Sequence, residues 1–241
     1  MRSRTRIRHS GKAGFTLVEV MIVVAIIGIV AAFGTPAMER FFVNLRARSA
    51  ARSTADALRI ARVEAIRTGI PHIVFLSAAA SGDPPATDPA GTALGADPGT
   101  GGPFPVLVLR DEGDGGGGNP NCLIDAGEIQ QGITAQRDVA WGSTLSGVTS
   151  VPSDTGLADH STGSSFRTRA GAPATWVLFR PDGIPVGFNA ACDPDDDLGG
   201  VGSGGGAIYL TNGLRDYAIV LSPLGSVRVH IWNAGAGAWT N

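Results

Sequence analysis

Residues 14–36 read Gly-Phe-Thr-Leu-Val-Glu-Val-Met-Ile-Val-Val-Ala-Ile-Ile-Gly-Ile-Val-Ala-Ala-Phe-Gly-Thr-Pro, an apolar run whose one ionisable side chain is Glu19. As a helix at about 1.5 Å per residue, residues 15–36 extend roughly 33 Å, enough to cross a hydrocarbon core of about 30 Å. A carboxylate inside such a helix costs about 3 kcal/mol at mid-bilayer, so Glu19 calls for a cationic partner. After Pro36 the pattern predicts that the helix resumes and runs to about residue 68. Phe41, Phe42, Leu45, Leu58, Ala61, Ala65 and Ile66 recur at spacings of three and four, which predicts one stripe lying on a sheet with the arginines outward. Asp56 is within reach of Arg52 and Arg59, and Glu64 of Arg67. Gly69 and Pro71 then end the helix, the first as a left-handed cap and the second because it cannot continue the ladder.

The remainder is β-patterned. Residues 71–76 start strand territory, followed by apolar, β-favouring stretches at 104–109, 139–141, 175–179, 207–211, 217–221 and 227–232. The last two flank Ser222-Pro223-Leu224-Gly225-Ser226 and predict a hairpin. Val227, Val229 and Ile231 alternate with Arg228 and His230, which places His230 on an exposed face, and His72 reads as a structural or exposed histidine at a strand start. Residues 77–103 are rich in Ala, Gly, Pro, Asp and Thr and bury too little to repay ordering entropy, so they read as a flexible insertion, as do residues 190–206.

Charge orders these segments. Arg2, Arg4, Arg6, Arg8 and Lys12 precede the apolar run without an acid among them, which holds that end in the cytoplasm and puts the head outside the inner membrane. An ordinary secretory signal, cut near Ala31-Ala32-Phe33-Gly34, is the alternative, and it leaves Gly14 and Glu19 unexplained. Without residues 1–14 the formal charge moves from −2 to −7. Residues 37–69 hold seven arginines and three acids, whereas beyond residue 69 seven arginines meet seventeen acids. The basic stalk either packs on acidic surfaces of neighbouring subunits, meets anionic lipid, or is a solvated face. Cys122 and Cys192 are the only cysteines, and outside the inner membrane they read as an intramolecular disulfide. Two thiols and scattered histidines make no zinc cluster.

Lys12-Ala13-Gly14-Phe15-Thr16-Leu17-Val18-Glu19 resembles the leader and mature start of type IV pilins and type II secretion pseudopilins. The resemblance implies cleavage after Gly14 by a prepilin peptidase and methylation of the new amine on Phe15. It also implies that Glu19 faces the amine of a neighbouring subunit, the partner that the membrane argument demands, and that the helix softens at Gly28 and Pro36. Three further stretches are similar to the GspH/FimT group of minor pseudopilins and minor pilins: residues 51–71, the Phe179-Arg180-Pro181-Asp182-Gly183 turn, and residues 217–229. The fold implied is α+β and pilin-like: a leader (1–14), a membrane-spanning or filament-core helix (15–36), a stalk helix (37–69) and a periplasmic antiparallel β-sheet head (70–241). Implied partners are other pseudopilins or minor pilins, the peptidase, an inner-membrane assembly platform and membrane lipid.

Members of the family often carry an oxygen-rich calcium loop, with which Asn119, Asn121, Asp125, Gly127 and Glu128 align. Gly117 stands at its leading aspartate position and Cys122 at its central glycine, so a plain acidic turn is the competing reading, with Asp111 and Asp114 as further oxygen donors. Asp193, Asp195, Asp196 and Asp197 would approach this loop through a disulfide between Cys122 and Cys192. No other cofactor is expected. The glycine run 200–205 precedes a strand and so does not read as a dinucleotide loop. No nucleophile elbow, phosphate loop or metalloprotease motif supports an anchored periplasmic enzyme. DNA binding by a minor pilin would want a basic head, and Arg215, Arg228 and His230 are thin support against the acidic excess.

Overall fold

The computed structural model describes residues 14–76, 106–112, 121–122, 128–134, 136–147, 149–152, 163–189 and 197–240. The insertion expected at 77–103 lies outside them. The chain divides into two compact units, Met1–Phe42 and Val43–Asn241. One helix, α1 (Leu17–Thr68), is followed by antiparallel sheets, so the architecture is α+β and consistent with a pilin-like fold. α1 stays helical through Gly28 and Pro36 and does not stop and resume at the proline as expected. In the first unit residues 15–34 are exposed throughout.

In the second unit the strands form two five-stranded sheets, antiparallel as expected. The first contains β1 (His72–Leu76), β2 (Val106–Arg110), β3 (Ile129–Ile133), β5 (Trp176–Phe179) and β6 (Pro185–Val186), in the order β3-β2-β1-β5-β6. The second contains β4 (Ala140–Trp141), β7 (Gly206–Thr211), β8 (Asp216–Leu221), β9 (Val227–Asn233) and β10 (Ala238–Thr240), in the order β10-β9-β8-β7-β4. The expected hairpin is present: Leu221 pairs with Val227, and Ser222 and Ser226 exchange a hydroxyl contact of 2.8 Å across the turn.

One core joins α1 to both sheets, and the helix contributes mainly alanines to it: Ala47, Ala50, Ala51, Ala55, Ala57, Ala61 and Ala65, with Leu58. The predicted stripe is therefore corrected. Phe41, Phe42, Leu45 and Ile66 remain exposed, and only Leu58, Ala61 and Ala65 of that set are buried. A helix facing the large side chains of two sheets, among them Phe179, Tyr217 and Leu221, has room on its near side for methyl groups and not for phenyl rings.

Each sheet is also covered on its far face. Ile73, Phe75, Leu107, Leu109 and Leu178 lie under Cys122, Phe188 and Leu198, while Ala207, Tyr209, Ala218 and Val220 lie with Val151 and Trp239. Strands buried on both faces read as continuous apolar runs, which is why alternation misplaced His230. It pairs with Ala218 on the covered face and is 6% exposed.

The arginines do not all face outward. Arg62 is half-buried; its Nε donates to the carbonyl of Gly183 at 3.1 Å and its Nη1 to that of Gly225 at 3.0 Å. Both glycines have positive φ, 76° and 82°, and a Cβ at Gly225 would lie 2.9 Å from the Gly183 carbonyl oxygen. One helical side chain thus fastens the Arg180-Pro181-Asp182-Gly183 turn and the β8–β9 hairpin together. Asp56–Arg59 and Glu64–Arg67 pair at 2.8 and 2.6 Å as expected, and Gly69, at φ 70°, caps α1 by donating its N–H to Ala65 at 3.0 Å.

Within the stretch expected as a second insertion, residues 198–199 and 203–206 are packed, while Gly200, Val201 and Gly202 are exposed. Leu198 bridges to Phe188, Ser203 Oγ accepts the Gly187 N–H at 3.1 Å, and a Cβ on Gly204 would lie 2.3 Å from the Pro185 carbonyl carbon. A glycine run here gives close backbone approach, not only chain entropy.

Candidate functional site

The start of α1 builds the first candidate site. Thr16 stands at the N-cap, where its hydroxyl accepts the Glu19 N–H at 3.2 Å and its carbonyl accepts from Val20 at 3.2 Å. Thr-x-x-Glu is the capping-box spacing and places Glu19 in the first turn, where the positive end of the helix dipole favours a carboxylate. The spacing was available in the sequence and adds a local role to Glu19. Gly14 and Phe15 are exposed immediately before the helix, and a Cβ at Gly14 would meet nothing within 4 Å. Gly14, Phe15 and Glu19 thus lie within five consecutive peptide bonds on one exposed terminus. Residues 1–13 lie outside the described set.

The oxygen-rich loop is only partly described: Asp114, Asn119 and Asp125 lie outside it, as do Asp193, Asp195 and Asp196. The two oxygens of the buried Asp111 accept the backbone N–H groups of Asn121, at 3.0 Å, and Cys122, at 2.8 Å. Glu128 Oε1 accepts the Glu112 N–H at 2.8 Å, and Glu112 pairs with Arg110. Asp111, just past β2, therefore holds the middle of the β2–β3 connection at residues 121–122, and Glu128 ties its far end back to Glu112. Among the described residues no group of three or more His, Cys, Asp or Glu side chains is placed to hold a metal ion. Cys122 is buried and disulfide-bonded, and Cys192, the other cysteine of the chain, lies outside the described residues.

A second buried carboxylate was not foreseen. Asp216 is fully buried at the start of β8, where Oδ2 accepts the N–H groups of Thr144, Leu145 and Ser146 at 3.1, 2.7 and 2.7 Å, and the Ser146 hydroxyl at 3.0 Å. Burial pushes its carboxyl up, but the Ser146, Thr211, Leu145 and Thr144 donors outweigh this and hold it below the ordinary aspartate value. It organises the loop between β4 and the outer face of the second sheet.

His72 is 1% exposed; its Nδ1 lies 3.0 Å from the Ile70 carbonyl, and Nε2 has no hydrogen-bond partner among the described residues. Burial lowers the pKa of His72 despite the Ile70 carbonyl and Glu64, and burial with Arg228 lowers that of His230. The unfolded chain then takes up protons first, so stability falls as pH drops below about 6.5 through the depressed folded values. A lower denaturation midpoint at pH 5.5 than at pH 7.5 is expected, with a smaller difference in His72→Gln/His230→Gln. An unchanged difference in that double variant would contradict the assignment.

The exposed apolar stretch of α1 lies within the segment that a family model matches. That model, described as the prokaryotic N-terminal methylation motif, matches residues 9–35. The type IV major fimbrial protein FimA of Dichelobacter nodosus is 48% identical over 56 residues, which are 23% of this chain and 34% of that protein. The amino-terminal region of this chain is type IV pilin-like. The similarity spans about a third of the length of that curated relative, and no solved structure matches. In this pilin-like region α1 holds one stretch long and apolar enough to cross a membrane, with none of that window buried within the chain. The head, with its Asp111, Asp216 and Arg62 anchors, lies largely beyond the similarity.

Proposed function

We propose that this chain is a minor pseudopilin or minor pilin, cut after Gly14, methylated on Phe15 and assembled through α1 into a type II secretion pseudopilus or the tip or initiation complex of a type IV pilus. The apolar helix anchors it in the inner membrane and then enters the filament, while the two-sheet head stands in the periplasm and meets other subunits. Glu19 carries this reading: a carboxylate in the first turn of an exposed apolar helix, five residues past Gly14 and inside the matched motif, has no cationic partner among the described residues of its own chain. A cation at the amine of an adjacent processed subunit answers that need.

Sheared or affinity-isolated filaments from the native cell provide the test. The processed chain is expected in that fraction at a small proportion of the main subunit. Its confinement to the membrane fraction while filaments assemble normally would count against the role.

A further inference from the structure

Three loops of the second unit gather on α1 at residues 43–46. In the β7–β8 turn, Asn212 Nδ2 donates to the Val43 carbonyl at 3.3 Å and to Asn44 Oδ1 at 3.0 Å. The Asn212 Oδ1 accepts the N–H groups of Leu214 and Arg215 at 2.9 and 2.7 Å, so the turn is held rigidly on the helix. The Arg46–Asp138 pair, at 2.7 Å, brings the loop before β4 to the same place. The loop after β4 joins them, with the Leu145 N–H on Asp216 at 2.7 Å and the Thr144 hydroxyl 2.8 Å from that of Thr211. These loops present two exposed leucines, Leu145 and Leu214, and two exposed arginines, Arg137 and Arg215. The described acids beside them are engaged: Asp138 by Arg46, with Arg137 3.8 Å away, and Asp216 by the buried donors of residues 144–146. Leucine tips ringed by arginine, with no unpaired carboxylate among the described residues of these loops, suit the boundary between water and lipid.

The helix residues that seat these loops are also those of the head nearest along the chain to the apolar run. Val43 and Asn44 stand seven and eight residues past Pro36 in an unbroken α1, no more than about 12 Å of helix at about 1.5 Å per residue. Headgroups extend about 5–8 Å beyond the hydrocarbon core, and the field of an anionic surface reaches about 8 Å further at physiological salt. We propose that Leu145, Leu214, Arg137 and Arg215 form a lipid-facing base of the head, which settles on anionic headgroups while α1 is in the membrane. The leucines enter the interface and the arginine forks meet lipid phosphates. This site lies outside the filament contacts proposed above and rests only on the membrane-anchored stage of that reading.

The test places the full-length chain in nanodiscs of phosphatidylglycerol or of phosphatidylcholine whose headgroups carry a nitroxide quencher. An apolar bimane reporter stands at Leu145→Cys, and a reference reporter at Leu224→Cys, in the exposed β8–β9 turn at the other end of β8. The Leu145 reporter is expected to be quenched at least about twofold more in phosphatidylglycerol than in phosphatidylcholine, and the Leu224 reporter equally in both. Each arginine near an anionic surface is worth roughly fivefold in occupancy, so R137E/R215E is expected to bring the Leu145 reporter down to its phosphatidylcholine level. R137K/R215K should retain most of the quenching, since lysine keeps the charge, and circular dichroism should show both variants folded. Equal quenching of the Leu145 reporter in the two lipids, or quenching that survives R137E/R215E, overturns the proposal. Recovery of the chain in the discs reads the membrane anchor by itself, and incorporation of Glu19→Ala reads the filament role, so failure of either is distinguishable from failure of this site.

Discussion

A Glu19→Ala chain is expected to enter filaments at least about tenfold less than the native chain, because a carboxylate and amine brought together away from water are worth more than about 1.4 kcal/mol to the subunit contact. Leader removal and the head should be untouched, since Glu19 lies in the unit Met1–Phe42 and the head core is built from the other. The capping role of this turn is separable from the charge. Thr16→Ala removes the hydroxyl that accepts the Glu19 N–H and is expected to cost about 1 kcal/mol of helix stability. Glu19→Gln keeps the side-chain length but not the charge, and is expected to fail in incorporation nearly as badly as alanine. Immunoblotting of isolated filaments against whole membranes reads all three variants, and normal incorporation of Glu19→Ala and Glu19→Gln would remove the assigned role.

Asp216→Asn carries the largest expected effect on the head, a loss of about 3 kcal/mol at pH 7. Asp216 Oδ2 accepts three consecutive backbone N–H groups and a hydroxyl, and an amide in its place turns one oxygen into a donor facing donors. With about 2–4 °C per kcal/mol for a domain of this size, the thermal midpoint should fall by at least about 6 °C. The pH dependence has a definite sign. Because the folded carboxyl is held below 3.8, its stabilisation is present above that value and is lost as pH falls through the depressed folded one, so native and variant midpoints converge in strong acid. Equal midpoints at pH 7 would show that the loop at 144–146 does not depend on the carboxylate.

The terminus was legible because its signals are local. Gly14, Phe15 and Glu19 sit within six residues, and a charge inside an apolar helix is unusual enough to demand an explanation without any tertiary knowledge. The β8–β9 hairpin was legible for the same reason, with Pro223 and Gly225 between two apolar runs. Asp216 was not, because its donors lie 70–72 residues away in a loop with no pattern of its own. Neither was the helix face: alanines at 47, 51, 55, 57, 61 and 65 score as weakly apolar, yet the approach of two sheets makes them the buried set, while Phe41 and Leu45 attract notice and stay outside. His230 misled because alternation presumes one wet face, and both faces of the second sheet are covered. β3, with Gln130, Gln131 and Gly132, has a weak strand signal, and β6 and β10, at two and three residues, are too short to show a pattern.

Intact mass and terminal sequencing of the chain isolated from native membranes test the central claim most directly. The account predicts a polypeptide that begins at Phe15 and carries a single methyl group on its amine. A chain that keeps its first fourteen residues while the processing peptidase is active, or one that begins near residue 34, would contradict it.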